Sequence, residues 1–306
     1  MHKVFGHKSP DTDATCSAIV WAWYLNTHTT HKAAPYVLGN LNNETLFVLK
    51  TWGFPEPEIL EHVSSDDTVS IVDTNNPQEL FENINDSSIA YIVDHHKLVG
   101  GLATKKPIEV IMRPLASTVS VIHDYIREHA ATMPREIKGL VLSGILSDTL
   151  AFRSPTTTPH DTALAETLAQ ELSVSIAEYS QKMFEAKSDI GAFSDEALVK
   201  IDSKKFAVGT KNCRVSVIET AAPHLVLARK AGLVAAIKTI VASEGDIDDV
   251  LLFVVDILSE SATVFTYNEL TTAIIEKSFG VHVTGDTHEL PGIVSRKAQI
   301  VPVLAI

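Results

Sequence analysis

Strand-like apolar runs alternate with apolar stripes of helical spacing along the first 187 residues. Strands are predicted at residues 4–6, 36–38, 68–72, 89–93 and 109–112. Helices are predicted at residues 14–26, 43–52, 117–129, 135–148, 160–172 and 176–186. Such alternation is typical of a mostly parallel sheet with helices on both faces, so we predict an α/β fold. In these folds a site lies beyond the carboxyl ends of the strands.

The pattern changes after the segment KSDIGAFS, which spans residues 187–194. Strands are predicted at 206–208, 214–219, 251–258, 263–267 and 299–305, and helices at 223–243 and 269–279. The first two strands form a predicted hairpin around GTKN, and the set as a whole indicates a smaller α/β domain with a mixed sheet. We therefore predict a first domain at 1–187, a linker at 188–193 and a second domain at 194–306.

Length and composition agree with two soluble domains. The chain has 306 residues, of which 45% are hydrophobic and 21% charged. No apolar run has membrane-spanning length, and the N-terminal MHKVFG lacks the features of a signal peptide. The two cysteines, Cys16 and Cys213, do not indicate a disulfide framework. We expect a cytoplasmic protein without a membrane partner.

The net charge of −13 disfavours a protein whose main task is binding nucleic acid, because that affinity comes from neutralising phosphates. It does not exclude a small anionic substrate. Bound metal ions or a local basic cluster can reverse the sign of the charge inside one pocket.

Acidic and histidine residues follow three of the predicted strands and end one predicted helix. They are His7, Asp11, Asp13, Asp73, Asp94, His95, His96 and Asp148. Each residue alone has an ordinary explanation, such as a helix N-cap, a turn residue or a hydrogen-bonded histidine. If the strands are parallel neighbours, however, the side chains that follow them meet at one edge of the sheet.

The chemistry of this set indicates metal ions. Imidazole nitrogens and carboxylate oxygens without thiolates suit Mn²⁺, Mg²⁺, Co²⁺ or Zn²⁺. Clustered carboxylates repel one another when no cation is present. Four aspartates and two histidines exceed the needs of one catalytic ion. They match two ions about 3.5–4 Å apart, an arrangement that activates a bridging hydroxide for phosphoryl hydrolysis.

Five separated motifs carry a family resemblance. GHKSPDTD, VDTNN, VDHHK and SDT resemble, in order and spacing, the motifs of the DHH phosphoesterase superfamily. SDTLAFRSPTTTPHD at 147–161 and SRKAQIVP at 295–302 resemble the family II, metal-dependent inorganic pyrophosphatases. The resemblance covers nearly the whole chain. It implies hydrolysis of pyrophosphate to two orthophosphates in a cleft between a catalytic first domain and a substrate-binding second domain.

The resemblance also implies roles for particular residues. His7, Asp11 and Asp73 would surround one Mn²⁺, with Co²⁺ or Mg²⁺ as alternative metals. The other ion would be surrounded by Asp13, Asp73, His95 and Asp148, so that Asp73 bridges the two. The catalytic residues would be Asp73 and His96. The substrate would be bound by His96, Lys204, Arg296 and Lys297, with a further Mg²⁺ arriving with it, although Lys205 is an alternative to its neighbour Lys204. A homodimer through the first domain is also implied.

Two positions depart from the family pattern, and two other functions remain open. Many members have His where this chain has Thr74, and Lys where it has Ala298. Thr74 would change a hydrogen bond that tunes the metals, and Ala298 would remove one positive charge. The first alternative is another hydrolase of the superfamily, namely an exopolyphosphatase or a short-oligonucleotide phosphodiesterase. The second is a non-catalytic metal or nucleotide sensor, which the complete set of ligands disfavours.

Overall fold

In the computed structural model, which describes residues 1–188 and 190–306, the chain divides into two compact units at 1–187 and 188–306. Asp189, within the predicted linker 188–193, lies outside the described residues. The strands of the first unit are β1 (His2–Phe5), β2 (Ala33–Val37), β3 (Glu58–Ile59), β4 (Thr68–Val72), β5 (Ser88–Asp94) and β6 (Glu109–Met112). Its helices are α1 (Thr12–His28), α2 (Asn43–Trp52), α3 (Thr118–Ile126), α4 (Arg135–Asp148), α5 (Pro159–Leu172) and α6 (Ile176–Lys187).

The strands of the first unit form one parallel sheet in the order β3-β2-β1-β4-β5-β6. Strand order reverses between β1 and β4, where Phe5 pairs with Ile71. On the other side of β4, Val72 pairs with Val93 of β5. The carboxyl ends of β1, β4 and β5 therefore lie side by side, at the point of the sheet where α/β folds place their ligands.

Apolar side chains cover both faces of this sheet. Trp21, Leu25 and Leu140 belong to a buried cluster built from the helices and from inward-facing strand residues. In a second buried cluster, Phe5 and Ile71 pack against residues of the segments that connect the strands. Burial on both faces explains why β4 and β5 do not alternate regularly between apolar and charged residues, as half-exposed strands do.

The second unit contains a mixed sheet, as predicted. Its strands are β7 (Ser203–Val208), β8 (Lys211–Thr220), β9 (Asp249–Asp256), β10 (Ser261–Phe265) and β11 (Thr287–Pro291). Its helices are α7 (Asp195–Lys200), α8 (Pro223–Leu227), α9 (Lys230–Glu244) and α10 (Glu269–Phe279). The strand order is β11-β10-β9-β8-β7, with β8 and β9 parallel and the other neighbours antiparallel. Buried apolar clusters lie on both of its faces.

The predicted closing strand at 299–305 is wrong. The chain forms helical turns at Arg296–Ile300 and Val301–Val303 instead. The Ser295 hydroxyl begins the first turn by accepting a hydrogen bond from the Ala298 amide, and Pro302 lacks the N–H that a strand would use. The run of apolar residues here marks partial burial rather than an extended backbone.

The predicted helix at 223–243 is two helices, α8 and α9, and the break between them has a tertiary cause. The Arg229 guanidinium bonds the Asp195 carboxylate and the carbonyl oxygens of Ile190 and Phe193. These contacts hold residues between the two helices against a segment distant in sequence, which the local apolar pattern does not reveal. Among the described residues, no helix combines the length and apolar character that crossing a membrane requires.

Candidate metal centre

The centre begins with side chains at the carboxyl ends of three neighbouring strands. His7 follows β1, Asp73 directly follows β4, and His95 directly follows β5. Nε2 of His7 lies 3.5 Å from Oδ2 of Asp73, and Nε2 of His95 lies 3.5 Å from Oδ1 of the same carboxylate. The two oxygens of Asp73 therefore face two different histidines.

Asp73 sits at a special backbone position. Its φ of 59° lies in the left-handed region, which aspartate tolerates better than most residues because its short side chain can bond locally. Its N–H still donates to the Val93 carbonyl, at 2.9 Å, so pairing with β5 continues past the last strand residue. The Thr118 hydroxyl donates to Oδ1 at 2.9 Å. The buried carboxylate is thereby held in one orientation.

Helix α1 supplies two further carboxylates. Asp11 is its N-cap: Oδ1 accepts from the Ala14 amide at 2.9 Å, and Oδ2 lies 3.7 Å from Nε2 of His7. Asp13 is fully buried, and its oxygens accept from the backbone amides of Thr118 at 2.6 Å and Val119 at 3.1 Å. These amides open α3, so the positive end of that helix faces an anionic group.

Seven predicted site residues come together in three overlapping groups. In each group the donor atoms all lie within 4.8 Å of one another. The groups are His7, Asp11 and Asp73; Asp13, His95 and Asp148; and Asp73, His95 and His96. Asp148 ends α4 and lies 3.7 Å from Nε2 of His95. That each of these residues binds an ion remains a prediction.

The orientation of His95 tests whether the group fits a divalent cation. Its Nδ1 lies 3.0 Å from the Leu115 carbonyl oxygen, which can only accept, so Nδ1 carries the proton. Nε2 is buried and has no hydrogen-bond partner among the described residues. Nε2 faces carboxylate oxygens of Asp73 and Asp148 at 3.5 and 3.7 Å, so this nitrogen can bind either a second proton or a cation. The nitrogen and oxygen donors fit Mn²⁺.

The pKa values of the cluster reflect crowded negative charge. Burial, reinforced by Asp73, raises the pKa of Asp13 well above its usual value, and burial with Asp13 does the same to the pKa of Asp148. Burial opposes protonation of the histidines, but neighbouring carboxylates outweigh it. They raise the pKa of His7 to about 10 and that of His95 to about 9. All four shifts act in the direction that reduces the net negative charge of the cluster.

Family models match most of the chain. A family model described as the N-terminal domain of the DHH family matches residues 3–145, and one described as the DHHA2 domain matches residues 181–305. The chain is 35% identical over 303 residues to the manganese-dependent inorganic pyrophosphatase of Bacillus subtilis, covering 98% of this chain and 96% of the relative. The chain belongs to that family.

Two further proteins with a pyrophosphatase name are similar to this chain. A probable manganese-dependent inorganic pyrophosphatase of Bacillus mycoides is 35% identical over 302 residues, covering 98% of this chain and 96% of the relative. A crystal structure from Methanococcus jannaschii, provisionally assigned as a family II inorganic pyrophosphatase, is 32% identical with a TM-score of 0.61. The match covers 99% of this chain and 97% of that one. The predicted two-part α/β fold is thereby confirmed.

In this pyrophosphatase-family chain, Asp94 positions His96. The buried Oδ1 of Asp94 accepts from the amides of His95 and His96 and from Nδ1 of His96, the last at 2.9 Å. Its Oδ2 accepts from the Asn75 amide group at 2.6 Å. Asp94 is thus occupied as an acceptor, and Nε2 of the half-exposed His96 is left for another partner. The bond to Asp94 raises the pKa of His96.

Several supporting residues were not predicted from the sequence. They are Thr118, whose hydroxyl and amide hold two carboxylates; Asp94 as the acceptor for His96; and Glu44, a buried carboxylate in α2. ASTVS at 116–120 does carry the Ser-Thr signature of a helix start, from which an anion-facing helix N-terminus is predictable. The sequence offers no comparable signal for Glu44.

The two residues that depart from the family pattern, Thr74 and Ala298, have different surroundings. The Thr74 hydroxyl donates to the Glu79 carboxylate at 2.7 Å and accepts from the Asn76 amide, so it stabilises the loop that follows β4. Ala298 is exposed in the turn that begins at Arg296. Neither position supplies one of the grouped donor atoms.

Of the four predicted substrate-binding residues, His96 lies in the first unit, and Lys204, Arg296 and Lys297 lie in the second. Nη1 of Arg296 bonds the Asp202 carbonyl oxygen at 2.8 Å and its carboxylate at 2.7 Å. Lys297 is exposed and has no ion pair among the described residues. The ammonium of Lys205 is held by Glu244 and Asp246, whereas Lys204, its neighbour on β7, has no ion pair within the part of the chain that the structure describes.

Proposed function

We propose that this protein hydrolyses inorganic pyrophosphate to two orthophosphates, using manganese ions held at the strand ends of the first unit. The observation that carries the proposal is the position of Asp73. Its two oxygens each lie 3.5 Å from a different histidine, so one carboxylate belongs to two donor groups. A carboxylate in this position suits a two-metal site for phosphoryl transfer.

We propose that His7, Asp11 and Asp73 hold one ion, and that Asp13, Asp73, His95 and Asp148 hold the other. Bound divalent ions would lower the pKa of a water molecule and neutralise phosphate charge. Asp73 would fix the spacing of the two donor groups, because Thr118 holds one of its oxygens. Mn²⁺ is supported by the names of the relatives. Two as the number of ions, and Co²⁺ or Mg²⁺ as substitutes, are proposals.

The substrate carries several negative charges, so we propose cationic partners beyond the metals. His96 would bind a phosphate oxygen through Nε2, since Asp94 holds its Nδ1. Arg296 presents a planar fork suited to phosphate, and Lys204 and Lys297 act as point charges. A further Mg²⁺ would arrive with pyrophosphate. In this proposal residues 1–187 form the metal-binding catalytic domain, and residues 194–306 bind substrate.

We propose a cytoplasmic enzyme that forms a homodimer through its first unit and has no nucleic-acid partner. The alternatives are another DHH phosphohydrolase, such as an exopolyphosphatase or a short-oligonucleotide phosphodiesterase, and a non-catalytic sensor. The net charge of −13 disfavours an oligonucleotide substrate, and a sensor has no need of a complete donor set.

Removal and return of metal tests the proposed reaction directly. Protein stripped by a chelator is expected to release no phosphate from pyrophosphate, and Mn²⁺ is expected to restore release, because bound divalent ions would activate water and neutralise phosphate charge. Phosphate would be measured with Mn²⁺, Co²⁺ or Mg²⁺ restored in turn, beside tubes that hold tripolyphosphate or a short oligonucleotide. Cleavage of the oligonucleotide without phosphate release from pyrophosphate would identify a phosphodiesterase. No metal-restored activity on any substrate would favour the sensor.

Neighbouring lysines provide a matched test of substrate binding. Lys204→Ala is expected to raise the KM for pyrophosphate about 10-fold with a smaller effect on kcat, since one charge–phosphate contact is worth roughly 1.5 kcal/mol. Lys205→Ala is expected to leave both constants nearly unchanged, because acidic residues already bind that ammonium. Steady-state kinetics at fixed Mn²⁺ gives both values. The reverse result would assign the contact to Lys205.

A further inference from the structure

Glu44 is a buried carboxylate to which the proposed function gives no role. It lies in the first turn of α2 and has no exposed surface. Moving a carboxylate out of water is unfavourable unless it gains hydrogen bonds or a counter-ion. The partners of Glu44 therefore indicate what the buried charge does.

All close partners of Glu44 approach one of its oxygens. Oε2 accepts hydrogen bonds from the Thr12 hydroxyl at 3.0 Å and the Ser147 hydroxyl at 2.9 Å, and it lies 3.3 Å from the Lys187 ammonium. Oε1 is buried and has no hydrogen-bond partner among the residues that the structure describes. The carboxylate thus joins three helices besides its own through a single oxygen.

The two hydroxyl donors are next to predicted metal ligands in the chain. Thr12 lies between the two aspartates at the start of α1, and Ser147 immediately precedes Asp148 at the end of α4. Three carboxylates of the candidate centre are therefore within one residue of a hydrogen bond to Glu44. α1 and α4 supply their ligands from opposite helix ends, so the relative position of those ends sets the shape of the donor group.

We infer that Glu44 is a positioning residue that holds the ligand-bearing ends of α1 and α4 together and thereby sets the affinity of the centre for Mn²⁺. This inference rests on the proposed function, because it concerns the same metal centre. The chemical type is important: one carboxylate oxygen accepts hydrogen bonds from two hydroxyl groups and lies beside the ammonium of Lys187, interactions that a neutral amide makes less strongly. Residues that orient metal ligands in this way commonly change affinity 10- to 100-fold when removed.

Two variants test the inference. Ser147→Ala removes one hydrogen bond and leaves the Glu44 carboxylate in place, whereas Glu44→Gln keeps the shape and removes the charge. Each metal-stripped protein would be titrated with Mn²⁺ by calorimetry, and its thermal unfolding would be recorded without metal. The Kd for Mn²⁺ is expected to rise about 10-fold or more in both variants. Catalysis at saturating Mn²⁺ is expected to recover more fully than catalysis at limiting Mn²⁺.

Ser143→Ala is the matched control. Ser143 lies one turn earlier on α4, is also buried, and bonds the hydroxyl of Tyr179 at 2.7 Å rather than Glu44. This variant is expected to lower the unfolding temperature while keeping the wild-type Kd for Mn²⁺. An unchanged Kd in Ser147→Ala and Glu44→Gln, with lowered unfolding temperatures, would make Glu44 a purely structural residue and overturn the inference. If the wild-type protein itself bound no Mn²⁺, the proposed function would fail instead.

Discussion

Asp73→Asn is expected to lower kcat/KM for pyrophosphate by at least about 10³-fold, which corresponds to roughly 4 kcal/mol of transition-state stabilisation. Asp73 is the residue whose oxygens face both His7 and His95. Replacing one oxygen by an amide group removes the charge shared by two donor groups. The NH₂ group of asparagine, a poor metal ligand, would also replace one of the two oxygens that face the histidines. Steady-state hydrolysis at several Mn²⁺ concentrations measures the loss.

Asparagine is the sharpest replacement at this position. It accepts the left-handed backbone of residue 73 about as well as aspartate, so the fold is perturbed little, whereas alanine would add strain at φ 59°. Asp67→Asn serves as the control, because Asp67 precedes β4 and pairs with Lys3 at 2.8 Å. The control is expected to keep nearly full activity. Near-wild-type turnover by Asp73→Asn would contradict the proposed role of Asp73 in both donor groups.

The predictable part of the centre comes from topology. A parallel sheet brings the residues after neighbouring strands to one edge, so His7, Asp73 and His95 can be placed together from the sequence alone. Strand β4 and helices α2 and α4 begin and end where the apolar pattern predicts. Because these elements bury defined faces, the spacing of their apolar residues predicts their type and their bounds.

The remaining parts depend on contacts between residues far apart in the chain. Whether Asp94 binds a metal or orients His96 depends on hydrogen-bond geometry, since the DHH motif contains both residues in either case. The buried position of Glu44 depends on three helices packing around α2, and its sequence context resembles an ordinary first turn of a helix. At 299–305 the apolar residues that predict a strand belong to tight turns, because capping by Ser295 and the missing N–H of Pro302 override the pattern.

Gly144→Ala is expected to weaken Mn²⁺ binding and to lower activity at limiting Mn²⁺ about 10²-fold, because it displaces Asp13, a proposed metal ligand. A Cβ atom at residue 144 would lie 2.8 Å from Oδ1 of Asp13 and 2.7 Å from Cγ2 of Val119. These distances are too short for real contacts. Asp13 is fully buried and held by backbone amides of α3, one of them that of Val119 itself. The new methyl group would thus contact both partners of the hydrogen bond that the Val119 amide donates to Asp13.

Gly139→Ala separates this effect from general destabilisation of α4. Its Cβ would lie 2.1–2.3 Å from ring atoms of Trp52, whose indole N–H is fixed by bonds to Ser143 and Tyr179. Overpacking of this kind costs about 3 kcal/mol, only partly offset by the roughly 1 kcal/mol that alanine gains in a helix. Gly139→Ala should therefore unfold at a lower temperature yet bind Mn²⁺ with wild-type affinity while folded. If Gly144→Ala also keeps the wild-type affinity for Mn²⁺, α4 must shift to accommodate the methyl group without displacing Asp148. The close packing of Gly144 against Asp13 would then have no functional consequence.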